Sequence, residues 1–316
     1  MSKPVRNVIL IGASGNMGVH VLKQLLAHPH HPGVSVLTRE ESTAEFPKPV
    51  KVFKTDYSPA SLEQAFKNQD VVLSFLNYDV PFHRLELIID AAIKAGVDRF
   101  VPSDYGIRTY HERYDVGVAT YKRQIVEHLE AKAGSISWTS FICNPWIEYC
   151  LLDGLLGFDL EKQEANIVNK GDSPFSGSNR AYVAQAVCNL LTDQSAYHDS
   201  KNQYVHIAGH TLTQNGILSI LKKLSGKPWK VEYVEADDMI AEGRKLIAVG
   251  NPWGMALVVR AVTCGYIEDG VCVGDLRSQN PWDERLGLKL NDLEDDLRAT
   301  LEGQFPIIHL PPVIIP

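Results

Sequence analysis

The chain has no CxxC spacing. Its five cysteines, Cys143, Cys150, Cys188, Cys264 and Cys272, are scattered and odd in number. That argues against a disulfide framework or a thiolate zinc site and suits reduced thiols. No apolar run is long enough to cross a bilayer, and no leader-like stretch precedes the first apolar strand, so a cytoplasmic location away from membranes is expected. Positive charge is not in excess: 31 Lys and Arg stand against 38 Asp and Glu, a formal charge of −7. A nucleic acid is therefore not an expected partner. His28, His30 and His31 cluster, but around Pro29 and Pro32 and without an acidic or thiol partner. They read as a solvated turn, and no metal is expected. Also missing are internal repeats and low-complexity segments.

What is present is an ordinary globular composition, 45% hydrophobic and 22% charged over 316 residues, enough for about two domains. The most informative stretch is Val5–Gly18. Val8 to Ile11 form an apolar run suited to a strand buried on both faces of a parallel sheet. Gly12, Gly15 and Gly18 follow, and then Val19, Leu22, Leu25 and Leu26 recur at helical spacing. Strand, glycine turn and helix together predict a dinucleotide site. The first glycine makes the turn, the second admits a pyrophosphate, and the third lets the helix pack on its strand. The helix N-terminus then faces the phosphates, so Gly12, Ser14, Gly15, Asn16, Met17 and Gly18 are candidate cofactor residues.

Strands and helices alternate through the first half: strands at 34–38, 50–54, 70–77, 99–102 and 137–143, with helices after Ser58 or Ser61 and over 82–95 and 118–133. This is the pattern of an α/β, Rossmann-type doubly wound parallel sheet, spanning 1–150. The segment 180–208 is expected to rejoin it, and 151–316 otherwise to form a smaller α+β substrate domain. Residues 151–179 read as irregular, and the apolar, proline-rich tail 305–316 as extended on its own chain or on a partner's. Monomer and homodimer both stay open. Ligands of such sheets bind beyond the carboxyl ends of the strands. That rim gathers the glycine turn, Thr38, Arg39, Asp56, Phe75, Leu76, Asn77, Ser103, Asp104, Asn144, Pro145 and Trp146. Arg39, rather than an acidic residue, closes the second strand, which predicts NADP(H) over NAD. Asp56 either lies near the adenine or caps the next turn.

Lys122 is the second signal. Val118, Ile125, Val126 and Leu129 share its helical face, which makes it a cation on an inward apolar stripe. Such a lysine is either a proton donor or acceptor at the cofactor rim, or a stem covering apolar surface. Tyr121 precedes it directly and Val118 lies four residues before, so a YxxxK pair is absent.

The glycine turn, the Thr38-Arg39 step, DVVLSFLN, RFVPSDYG with YKRQIVEHLE, and SWTSFICNPWIEY resemble the NmrA-like and isoflavone-reductase-like branch of atypical short-chain dehydrogenases. The resemblance covers about residues 5–240 and is closest to filamentous-fungal members tied to secondary metabolism. It implies an NADPH-bound Rossmann domain, a smaller substrate domain and a cleft between them. It also implies hydride transfer to a small aromatic or conjugated substrate (an enone, imine or quinone methide), with Lys122 as general acid/base. Asp104, Tyr105, Trp146, Tyr149 and Phe175, with other aromatics of 151–179, are then expected substrate contacts. Two positions depart from the plant reductases of this branch: Asp104-Tyr105 replaces Glu-Phe, and His83-Arg84 lies where they carry a polar amide. Two alternatives remain, an NADP(H)-sensing regulatory protein and a cofactor-retaining enzyme of cyclisation, isomerisation or dehydration. Lys122 discriminates against the first.

Overall fold

A computed structural model describes residues 4–307. Its first sheet is built as the alternation dictates. The strands β1 (Asn7–Ile11), β2 (Gly33–Arg39), β3 (Lys51–Thr55), β4 (Val71–Ser74), β5 (Arg99–Val101) and β6 (Ser137–Ile142) are separated by the helices α1 (Gly18–Ala27), α2 (Pro59–Phe66), α3 (Phe82–Lys94) and α4 (Gly117–Ala131). Ser58 caps α2, its side chain accepting from the Ser61 amide. Successive β1 residues point to opposite faces. Val8 and Leu10 pack in a core with Val21, Leu22 and Leu25 of α1, whereas Ile9 and Ile11 pack with residues of α2, α3 and α4.

Beyond β6 the chain forms α5 (Ile147–Leu152) and three short strands, β7 (Phe158–Asp159), β8 (Glu164–Val168) and β9 (Phe175–Gly177). The span expected to be irregular is therefore partly sheet. Helices α6 (Arg180–Thr192) and α7 (Gln194–Asp199) lead to β10 (Gln203–His206), which pairs in parallel with β6. The resulting seven-stranded sheet has the order β10-β6-β5-β4-β1-β2-β3, with every pairing parallel. The direction of winding reverses between β1 and β4, which opens the crevice at their carboxyl ends.

The rest comprises β11 (His210–Leu212), α8 (Gln214–Ser225), β12 (Lys230–Val234), α9 (Ala236–Ala248), α10 (Trp253–Gly265) and α11 (Leu293–Leu301). Thr213 caps α8 and Gly226, at φ 63°, ends it, as its sequence predicts. A separate core joins Ile147, Phe158, Ile167, Phe175, Ile217 and Leu297. Trp282 and Leu286 instead belong to the core of the first sheet. Most of the apolar tail lies outside the described residues.

Candidate active site

The glycine turn brings backbone and helix terminus together. Gly12 has φ +80°, and a Cβ there would lie 2.9 Å from the Phe75 carbonyl oxygen. A Cβ on Gly18 would lie 2.3 Å from the Gly12 carbonyl oxygen. Only hydrogen at these positions permits the close turn. A groove of about 140 Å³ runs from this turn along the rim, lined by Gly12, Ser14, Gly15, Thr38, Arg39, Phe75, Leu76 and Asn77. The glycine-turn backbone and the arginine among its lining residues fit a nicotinamide dinucleotide. Lining residues not anticipated for it include Ser42, Phe46, Tyr57, Asp79 and Arg84. The Arg84 guanidinium stands 4.7 Å from the centre of the Tyr57 ring, so the groove has a second cation beside Arg39.

Three expected cofactor residues play other parts. The Asp56 carboxylate accepts from the Ser58 amide and the Ser61 hydroxyl. Those bonds, Ser58 first, hold its pKa down at about 2, so it caps the turn before α2. The Met17 side chain is buried in the core beneath α1. This leaves its backbone to the loop. Asn16 Oδ1 accepts from Arg180 Nη1 at 3.2 Å, and Arg180 in turn pairs with Glu148 at 2.9 Å.

At the other end of the rim a cavity of about 520 Å³ opens between the sheet and α10. Tyr105, Lys122, Asn144, Pro145, Trp146 and Tyr149 line it. Its roof comes from Trp253, Met255, Val259 and Arg260 of α10, a helix the sequence reading did not identify. Gly243 and Gly254 let α9 and α10 cross closely, since a Cβ on Gly254 would meet the Gly243 carbonyl oxygen at 2.3 Å. Asn144, at φ 54°, donates from Nδ2 to the Gly274 carbonyl. Its Oδ1 and the Tyr105 hydroxyl have no partner among the described residues, whereas the Trp146 side chain donates toward the Cys143 thiol. Unpaired buried groups in a cavity wall are hydrogen-bonding capacity left for a ligand.

Lys122 lies at the lip of this cavity, half-buried, and its ammonium donates to the Asp104 carbonyl at 2.5 Å. Burial lowers its pKa, against the opposing pull of Asp104 and Cys143. Ser103 lines the small void beside it, together with Pro102 and Leu76. The neighbouring Tyr121 hydroxyl donates to the Val80 carbonyl, away from the lysine.

Two expected substrate contacts are corrected. The Asp104 carboxylate turns into the protein, only 1% of the residue exposed, and accepts from Ser140 at 2.6 Å and Thr109 at 3.1 Å. Burial raises its pKa. Tyr105, at φ 27°, lines the cavity while itself buried in the first core, stacked between Phe75 and Phe141 with ring centres 5.1 and 5.9 Å away. Phe175 is fully buried in the second core, where β9 pairs antiparallel with β11. Phe158 is buried there as well. Among the described residues no cluster of three or more His, Cys, Asp or Glu fits a metal, and no helix is long and apolar enough to cross a membrane.

A model of the NmrA-like family matches residues 4–261. The chain belongs to that family. Oxidoreductase aprR of Aspergillus flavus is 33% identical over 304 residues, 94% of this chain and 99% of that protein. A crystal structure of isoflavone reductase superposes with a TM-score of 0.73 at 19% identity, over 94% of this chain and 99% of that one. AtPrR2 with NADP+ and (+)pinoresinol gives a TM-score of 0.69 at 19% identity, over 95% and 100%. At such identities the two structures establish the fold alone.

Proposed function

We propose that this NmrA-like oxidoreductase reduces a small aromatic or conjugated metabolite with NADPH, with Lys122 as the general acid. The observation that carries this reading is the place of Lys122, a desolvated amine that lines both the aromatic-walled cavity and the small void reaching Leu76 of the dinucleotide groove. The names of its relatives, oxidoreductases and isoflavone reductase homologues, point the same way, and a structural relative carries NADP+.

Bound along the groove, NADPH supplies hydride from its nicotinamide. The chain does the rest. The Gly12–Gly18 backbone and the N-terminus of α1 would hold the pyrophosphate. Arg39 and Arg84, which line the groove, would meet the adenosine phosphate, and Asn144 Oδ1 offers an acceptor beside the cavity. Tyr105, Trp146 and Tyr149 form apolar walls that orient a flat substrate and exclude water. The Asp104 carbonyl fixes the Lys122 ammonium, which gives its proton to the substrate atom where negative charge develops.

Lys122→Met is expected to lower kcat/KM about 10²- to 10⁴-fold while the Kd for NADPH stays within a fewfold of wild type. Reduction needs the protonated amine, so the wild-type rate falls as pH rises through the folded pKa of Lys122, which lies below 10.5. That alkaline limb disappears in Lys122→Met. A variant with undiminished turnover overturns the assignment.

A further inference from the structure

Arg260 stands in an otherwise apolar stretch of α10, between Val259 and Ala261, and is only 5% exposed. A buried guanidinium is costly unless a carboxylate or a full set of acceptors compensates it. Arg180 in the same chain has its carboxylate, Glu148. Arg260 has none within ion-pair distance among the described residues. Its Nε donates to the Leu155 carbonyl at 2.7 Å and Nη2 to the Gly154 carbonyl at 2.8 Å, and Nη1 makes no hydrogen bond. The thiols of Cys264 and Cys150 beside it are raised well above their ordinary range by burial and so stay neutral, and Asp153, the carboxylate that shares its cavity wall, forms no ion pair with it among the described residues.

The position of this uncompensated cation is specific. Arg260, Asp153 and Trp253 wall both the 520 Å³ cavity and an adjoining outer groove of about 570 Å³. Lys122 marks the opposite end, where the cavity meets the sheet rim and the small void under Ser74 and Pro102. The Trp253 ring, 5.9 Å from the guanidinium carbon, offers a flat apolar neighbour. We propose that Arg260 is a specificity-determining subsite for a carboxylate, so that the substrate is a conjugated aromatic acid whose anionic end lies away from the carbon being reduced. This rests on the reading of the cavity as the substrate site. Arg260 suits the task, because its planar guanidinium is pinned through two nitrogens while the third, beside Gly157, keeps a donor that a carboxylate oxygen can take without further loss of side-chain freedom.

The test is binding without turnover. The protein saturated with NADP+ is titrated with cinnamate and with methyl cinnamate, two probes of the same ring and alkene that differ in charge, by calorimetry or by tryptophan fluorescence. Wild type is expected to bind the acid at least about tenfold more tightly than the ester, with the preference shrinking as salt is raised. Arg260→Gln abolishes the preference, Arg260→Lys keeps part of it, and Lys122→Met keeps all of it. Equal affinity for acid and ester in wild type, no saturable binding of the acid, or a preference that survives Arg260→Gln overturns the subsite. If Arg260→Gln does not fold, as a melting curve will show, the wild-type comparison and Arg260→Lys decide. Because no hydride transfer is read, this result stands or falls separately from the reductase reading.

Discussion

Arg39→Ala is expected to weaken NADPH binding about tenfold and to leave NADH binding nearly unchanged. A charge-assisted hydrogen bond to a phosphate contributes about 1.5–3 kcal/mol. The Arg39 side chain is 46% exposed, and solvent screening puts it at the low end, about 1.5 kcal/mol or tenfold in Kd. Glu41 sharpens the argument. Its Oε1 lies 3.4 Å from the Arg39 Nε, so it competes for the guanidinium and repels a 2′-phosphate. Glu41→Gln should therefore tighten NADPH binding a fewfold. Arg84 lines the same groove, and the Arg39→Ala/Arg84→Ala double variant should lose about 100-fold if the two cations act independently. The assay is equilibrium titration of nucleotide fluorescence with both reduced dinucleotides at fixed salt. Equal losses for NADPH and NADH would refute the reasoning, because neither arginine would then be reading the phosphate that distinguishes them.

Two further outcomes follow from packing and burial. In Gly18→Ala the new methyl would sit 2.3 Å from a backbone oxygen of the glycine turn and 2.7 Å from the Ala13 Cα, so the loop itself must move. About 1–3 kcal/mol of stability and much of the nucleotide affinity should be lost, read by melting and titration; an unchanged Kd would contradict the placement. His20 is held neutral, its pKa down at about 4 through burial first and then Arg180 and Lys23. The unfolded chain thus takes up the proton that the folded one refuses between pH 6.5 and 4, and stability falls as pH falls through that window. His20→Gln should flatten that slope in melting curves; an identical slope would count against the burial argument.

The features legible in the sequence are those whose physics is local. The apolar run Val8–Ile11, the glycines behind it and the inward stripe carrying Lys122 each fix a strand, a turn or a face through neighbours a few residues away. The parallel order of the sheet follows from the alternation they set up. Direction at a loop is not local. Asp104 and Tyr105 are adjacent, and only the burial of Asp104 against Ser140 and Thr109 shows which of them faces the cavity. Phe175 looked like a wall because it is aromatic in an irregular span, yet pairing of β9 with β11 carries it into the core. The roof was hidden for another reason. Residues 253–265 are apolar on all sides and rich in β-branched residues, so no stripe marks a helix, and Arg260 within that run was the clue to a wall. Arg84 was visible as an unusual residue, but its approach to Tyr57, in the turn after β3, depends on α3 packing beside α2.

The central claim, hydride transfer assisted by Lys122, is tested most directly with NADPH carrying deuterium at nicotinamide C4. The protein and its Lys122→Met variant are each incubated with a panel of conjugated aromatic ketones, acids and benzylic ethers, and the products are read by mass spectrometry. The account predicts deuterium on carbon in one substrate class with wild type and little or none with the variant. Tight NADPH binding with no label transferred to any member, or equal transfer by both proteins, would contradict it.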